Sequence, residues 1–283
     1  MVKGDRFGSS APRDAQASEP WERDRERLRS TFDDDVDAYD RSRPVAPIDV
    51  FEGAFARAEL DPGSSLVEIG PGTGQATRLL AEHGLRVLAL EIGSQLADRA
   101  RSNLSEFPNV TVLTTSFEDW DPGDERFDSV FACNSFHWID PIVRFTKAAD
   151  VLRPDGHLIV LSTPWVIPSD ADRFWWQVQD DWAAVGVERV DPSTKHPDLV
   201  SDLAPAVRAS GVFDEPTIAR RPFTVTFDAD TYAANLSTQS GVKELPPEAR
   251  AELVERVRRR VDRCGGSVTA HLLAMLTIAR RAG

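Results

Sequence analysis

The chain has 283 residues, and its 33 basic against 46 acidic side chains give a net charge of −13 with histidines neutral. A balance this acidic excludes counterion release on a polyanion as the basis of binding, so nucleic acid is not expected as a partner. Cys133 and Cys264 show neither metal-ligand spacing nor a disulfide framework, and no apolar run approaches the roughly 20 residues that span a bilayer; a soluble, cytoplasmic protein with no membrane or metal is expected.

Residues 1–20 are small, polar and without period, and 1–31 is read as a disordered segment broken by a charged helical stretch at Trp21–Arg29. Phe32 to Pro44 is by composition an acidic linker. An amphipathic helix is predicted over Pro47–Leu60, then a turn at Asp61-Pro62-Gly63. Leu66, Val67 and Ile69 form an apolar run of the kind buried on both faces of a sheet. Gly70, Gly72 and Gly74 follow at alternate positions, and Gln75 to His83 reads as a helix stopped by Gly84. Strand, glycine turn and helix present backbone N–H groups to a ligand at the carboxyl end of a strand. Glycines there can take positive φ and let the ligand lie against the main chain.

Gln75 stands where a dinucleotide fingerprint has its third glycine. Glu68 adds negative charge just before the loop, which suits a ligand with a cationic part better than a pyrophosphate. The second strand, Val87–Leu90, ends in Glu91. An acid about twenty residues beyond the glycines is placed to hold a ribose diol through two hydrogen bonds.

Ser94 is expected to cap a helix reaching Leu104. Val110–Leu113 is the third strand, followed by Ser116-Phe117-Glu118-Asp119-Trp120, and Phe127–Ala132 is the fourth, ending at Cys133-Asn134-Ser135-Phe136-His137-Trp138. A helix over Pro141–Leu152 and a turn at Arg153–Gly156 lead into a fifth strand, His157–Ser162. Phe174, Trp175, Trp176, Val178 and Trp182 recur at helical spacing, an aromatic stripe of the type that packs on a core. Further on, a helix over Leu199–Ser210 stops at Gly211, and Thr217–Phe227 alternates as a strand. Ala229–Asn235 and Pro247–Arg263 read as helices, with Arg256–Arg263 a solvated face, and the last strand-like run falls within Gly266–Ala279.

Val67–Gly74 together with Glu91 resembles the class I S-adenosylmethionine-dependent methyltransferases. The runs Phe136-His137-Trp138-Ile139-Asp140 and Leu152-Arg153-Pro154-Asp155-Gly156 add to the likeness. The tail is similar to the small-molecule, trans-aconitate methyltransferase-like bacterial group. The resemblance covers Phe32 to Arg281 and is strongest over Leu66–Leu161. It implies an α/β fold, a Rossmann-like seven-stranded methyltransferase sheet with helices on both faces and an inserted helical cap. Residues 32–283 would form that domain, with cap helices from insertions near 165–198 and 229–263.

The same resemblance implies S-adenosylmethionine as cofactor and S-adenosylhomocysteine as product. The methyl group would pass by in-line displacement to oxygen, nitrogen, carbon or carboxyl of a small molecule, with the protein supplying mainly position. Cofactor contacts fall to Glu68, Gly70, Gly72, Gly74 and Glu91. Tyr39 and Arg43 would belong to a lid, Arg43 pairing with the methionine carboxylate. Ser116 stands where the family often has an Asp. Phe117, as ring cover or as core, and Glu118 or Asp119 are the other adenine candidates, and Asn134 would line the cofactor. His137, at the strand tip that faces the methyl group, is the candidate base or positioning residue. Trp138, Trp165, Trp175 and Trp176 are candidates for a substrate wall. Two rival readings are a non-catalytic S-adenosylmethionine-binding protein and a nicotinamide-dependent oxidoreductase, the latter opposed by the missing third glycine. Monomer and homodimer are both open.

Overall fold

A computed structural model describes residues 35–283. The segment read as disordered, its charged stretch and the first residues of the expected lid lie outside the described residues. The strands are β1 (Ser65–Ile69), β2 (Arg86–Glu91), β3 (Val110–Thr114), β4 (Phe127–Cys133), β5 (Leu152–Ser162), β6 (Trp165–Val166), β7 (Thr217–Asp228) and β8 (Ser267–Arg280). The chain divides into two compact units.

The sheet unit comprises Val45–Thr163, Asp202–Arg221 and Ala274–Gly283. Strands run in the order β3-β2-β1-β4-β5, all parallel, and β8 adds antiparallel to β5. β7 pairs β8 as well. Apart from the two-residue β6, seven strands make this a Rossmann-like α/β sheet, as expected.

Every residue of β1 is buried, and Leu66 and Val67 are wholly so. That is why the strand reads as an unbroken apolar run, and each such Leu or Val side chain contributes about 1.5–3 kcal/mol. Helices cover the sheet with small and apolar residues: Leu80 and Ala81 from Gln75–Glu82, Leu96 and Ala97 from Ser94–Asn103, Phe145 and Ala148 from Arg144–Val151.

The helix read from Pro141 begins at Arg144, and three further boundaries differ from the sequence reading, each for a local reason. Ser94 is the first helical residue rather than the cap; Gly93 takes the cap position and donates its N–H to Glu91 Oε1 at 2.9 Å. The helix expected from Leu199 starts at Ala204, with Pro205 in its first turn, where a missing N–H costs nothing. Arg153–Gly156 is an irregularity inside β5 rather than a turn before it: Asp155 has φ 67° and the register with β4 shifts. Elsewhere the agreement is close. The Gln75–Glu82 helix stops as predicted, with Gly84 at φ 89° and Leu85 N–H donating to Leu80 O at 3.2 Å.

The helical unit comprises the described part of Met1–Pro44 with Pro164–Ser201 and Pro222–Leu273. Here β6 pairs the first half of β8, Trp165 opposite Leu272. The aromatic stripe forms two short helices, Phe174–Gln177 and Gln179–Ala184. Phe174 and Trp175 pack edge-on at 5.1 Å between centroids, with Phe227 and Tyr232 in the same cluster. Pro247–Arg263 buries Leu253, Val257 and Val261 at four-residue spacing. Its outer face is laced by Glu252–Arg256, Glu255–Arg259 and Arg258–Asp262, the solvated face expected there.

Arg260 leaves that face to meet Asp181. Arg260 Nη2 donates to Asp181 Oδ1 at 3.0 Å and Nε to Oδ2, with both side chains largely buried. Removing one partner strands the other charge, so Asp181→Ala should destabilise the protein by about 3 kcal/mol. Joint replacement by Leu at 181 and Met at 260 should recover most of that. Urea unfolding of the three variants checks both expectations.

Candidate active site

The parallel strands place the ends of β1, β2 and β4 side by side, and their turns make the candidate site. After Ile69 the chain turns through Gly70, Gly72 and Gly74, at φ 65°, 60° and 89°. Two of these glycines have no room for a side chain. A Cβ on Gly70 would stand 2.7 Å from Ser135 Cβ, and one on Gly74 would stand 2.7 Å from Leu104 Cδ1. Ser135 also donates its hydroxyl to Ile69 O, so the β4 end props the glycine turn directly.

Glu91 is buried at the end of β2, and its two oxygens hold two turns. Oε2 accepts from Gly72 N–H at 2.9 Å and Oε1 from Gly93 N–H at 2.9 Å. Glu68 is equally buried, inside β1, and its Oε2 has no hydrogen-bond partner among the described residues. Burial first, and the nearby Glu91 charge in addition, push its carboxyl up to about 8, against the opposing pull of the Thr77 hydroxyl.

The third strand's turn is internally braced. Ser116 donates to Asp119 Oδ2 at 2.6 Å and accepts from Asp119 N–H at 2.9 Å, so Asp119 is tied to its own turn. Glu118 Oε1 accepts from Asp140 N–H at 3.2 Å. Phe117 is 2% exposed and belongs to the core beside Trp120. At the β4 end Asn134 is exposed, with φ 56°. Its amide clasps Thr163, Nδ2 donating to Oγ1 at 2.8 Å and Oδ1 accepting from the Thr163 N–H at 2.7 Å.

His137 and Trp138 sit on a short 3-10 turn, Phe136–Trp138, with ring centroids 4.8 Å apart. The imidazole reaches solvent, yet crowding by protein first and the Arg144 guanidinium second bring its pKa down to about 4. Cys133 beside them is held protonated, burial pushing its thiol up to about 12.

The remaining expected site residues belong to the helical unit. Arg43 Nη2 donates to Thr238 O at 2.8 Å, and its guanidinium lies 5.0 Å from the Tyr39 ring centroid. Trp175 is a core residue whose indole N–H donates to Thr269 O at 3.2 Å. Trp165 stacks on Phe227 at 5.8 Å, and Trp176 is 41% exposed.

Some residues of the sheet-unit turns escaped the sequence reading. Ile92 and Leu113, at the ends of β2 and β3, are large apolar side chains left 44% and 37% exposed. The signal for Ile92 was an apolar residue directly after the ribose acid. Lys147 donates to Glu118 O at 2.8 Å and Trp120 O at 2.6 Å, fixing the adenine-candidate turn to the Arg144–Val151 helix; nothing in its local sequence marks it.

These residues fit a nucleoside with a cationic tail. The turn can accept a ligand against its main chain, Glu91 closes the second strand with a buried carboxylate, Ile92 offers apolar surface, and Glu68 supplies a buried oxygen without a donor among the described residues. They fit a pyrophosphate poorly, because the Gly72 N–H that would meet it is already given to a carboxylate. Among the described residues no group of His, Cys, Asp and Glu is arranged to hold a metal, and no helix is long and apolar enough to cross a membrane.

Residues 67–160 match the family described as a methyltransferase domain. An uncharacterised methyltransferase of Mycobacterium tuberculosis is 34% identical over 137 residues, which are 47% of this chain and 52% of that protein. The chain spans about half the length of the curated relatives it matches. Among solved structures, a candidate type II methyltransferase from Anaeromyxobacter dehalogenans aligns with a TM-score of 0.57 at 20% identity, over 84% of this chain and 97% of that one. A phosphoethanolamine N-methyltransferase from Haemonchus contortus, in complex with phosphomonomethylethanolamine and S-adenosylhomocysteine, aligns with a TM-score of 0.52 at 14% identity, over 90% and 60% of the two chains. The two structural likenesses speak for the fold.

Gly70→Ala is expected to combine left-handed strain with a collision on Ser135, for a loss of about 2–3 kcal/mol. Gly63→Ala, where φ is 94° and the space is open, carries strain alone and should lose about 1 kcal/mol. Thermal unfolding of the pair measures the part due to crowding.

Proposed function

We propose that this class I methyltransferase domain binds S-adenosylmethionine across the ends of β1 and β2 and passes its methyl group to a small molecule. The observation that carries the reading is the Glu91 carboxylate, buried at the end of β2 and fixed by the Gly72 and Gly93 N–H groups. A carboxylate accepts hydrogen bonds on both oxygens, as holding a ribose diol requires. The domain match over 67–160 supports the cofactor class.

The sulfonium supplies an already activated methyl group when the cofactor is bound, and this chain's residues align and enclose. Glu68, once ionised, places negative potential under the glycine turn, Glu91 orients the ribose, and Ile92 offers a face to the adenine. Ser116 and Glu118 belong to the turn that would border the adenine edge, held in place by Lys147. Trp138, beside His137, is the candidate for acceptor contact. The tail's likeness to the trans-aconitate group makes a carboxylate the first acceptor class to try.

For His137 the structure favours positioning over proton transfer. A base whose pKa is near 4 is unprotonated at neutral pH but accepts a proton weakly. An ionised carboxylate acceptor needs no base, since its own pKa lies near 4 as well.

Glu91→Ala should weaken S-adenosylhomocysteine binding by roughly ten- to a hundred-fold, the worth of charge-assisted hydrogen bonds to the ribose. Titration calorimetry with unchanged affinity would overturn the site. Label transfer from methyl-labelled cofactor into carboxylate acceptors tests the reaction itself. For His137, turnover should stay flat from about pH 5 to 8, and His137→Asn should keep it within about fivefold. An acidic limb near 4 joined to a hundredfold loss in His137→Ala would instead make it the base.

A further inference from the structure

Glu68 is the last residue but one of β1, between β2 and β4, and is 1% exposed. Glu91 acts on it from β2, the Thr77 hydroxyl from the Gln75–Glu82 helix, and the Cys133 thiol lies towards it from β4. Of these, the charged neighbour is another carboxylate. The two acids are equipped differently. Glu91 has a backbone N–H on each oxygen, which favours its ionised form. Glu68 Oε2 has no donor among the described residues. Two nearby carboxyls in a poorly solvated interior do not both ionise readily, and the one with the weaker set of donors keeps the proton.

We propose that Glu68 carries a proton in the ligand-free protein and releases it when a cationic cofactor occupies the glycine turn, so that binding exchanges one positive charge for another. This rests on the methyltransferase reading above and goes beyond it by making cofactor capture proton-linked. No bond other than Glu68 O–H breaks; the proton passes to solvent, and the ligand's cation takes its place opposite the carboxylate. The rise of the Glu68 pKa to about 8 agrees with the geometry. Cys133 is not the source, because its thiol is held protonated far above neutral pH.

The sign follows from linkage. A proton bound only in the free protein opposes the ligand, so affinity should climb by up to about tenfold per pH unit through neutrality and level off above about pH 8. A ligand with the same nucleoside but no ammonium or sulfonium should show no such climb.

The test is titration calorimetry of the full chain at about pH 7 in buffers of different ionisation enthalpy, whose slope counts protons released. S-adenosylmethionine should release close to one proton from the wild type. Glu68→Gln, a neutral copy of the protonated acid, should release almost none, and 5′-methylthioadenosine should release none from either protein. Release with S-adenosylhomocysteine too would identify the ammonium as the exchanging cation, and release with S-adenosylmethionine alone would identify the sulfonium; both support the exchange. Binding of S-adenosylmethionine to the wild type without proton release, or undiminished release in Glu68→Gln, would overturn it. Failure of the wild type to bind S-adenosylmethionine at all would overturn the methyltransferase reading first, and this inference with it.

Discussion

Glu91 spans the ends of two strands with one carboxylate, and the shape of the candidate site depends on that span. Parallel neighbours β1 and β2 bring their turns together, and each turn exposes backbone N–H groups that need an acceptor. Gly72 and Gly93 find it in the same side chain. Hydrogen bonds to a charged group are worth about 1.5–3 kcal/mol each, so the turns are held in register before any ligand arrives. The acid expected to orient a ribose is therefore also a structural tie.

The other fixtures of the site are contributed by residues that need not touch a ligand. Ser135 props the glycine turn, Thr163 holds Asn134 in a left-handed conformation, and Lys147 pins the turn after β3. Such bracing suits a reaction in which the protein chiefly aligns partners, because alignment lasts only as long as the turns keep their places. The helical unit has a separate aromatic core, and Arg43 is anchored there to Thr238.

Much of the sheet unit was legible in the sequence because its signals are local. β1, β2 and β4 are buried on both faces and read as apolar runs. The glycine spacing and the acid after β2 mark the turns by residue type alone. What the sequence hid depends on which neighbour each group meets once the chain is folded. Phe117 has the residue type of a ring cover and of a core residue alike, and only packing against Trp120 places it in the core. Ser94 looks like a cap until Glu91 claims the Gly93 N–H. The difference between Glu68 and Glu91 in donors is invisible in a string of letters, since both are simply acids at strand ends. Lys147 was missed because its carbonyl partners lie almost thirty residues upstream.

The pairing of β5 with β8 has a consequence for how the chain acquires its structure. β5 finds its antiparallel neighbour in residues synthesised about 120 positions later, His157 opposite Arg280, and such distant pairing is slow to form. Until β8 is made, β5 offers an unpaired edge of apolar residues, Leu158 to Leu161, to any other strand in the cell. Translation thus passes through an interval in which the β3-β2-β1-β4-β5 array can assemble while one flank stays sticky. Overexpression shortens the distance between such nascent chains, and insoluble material formed in that interval would reflect the order of synthesis rather than weakness of the finished fold.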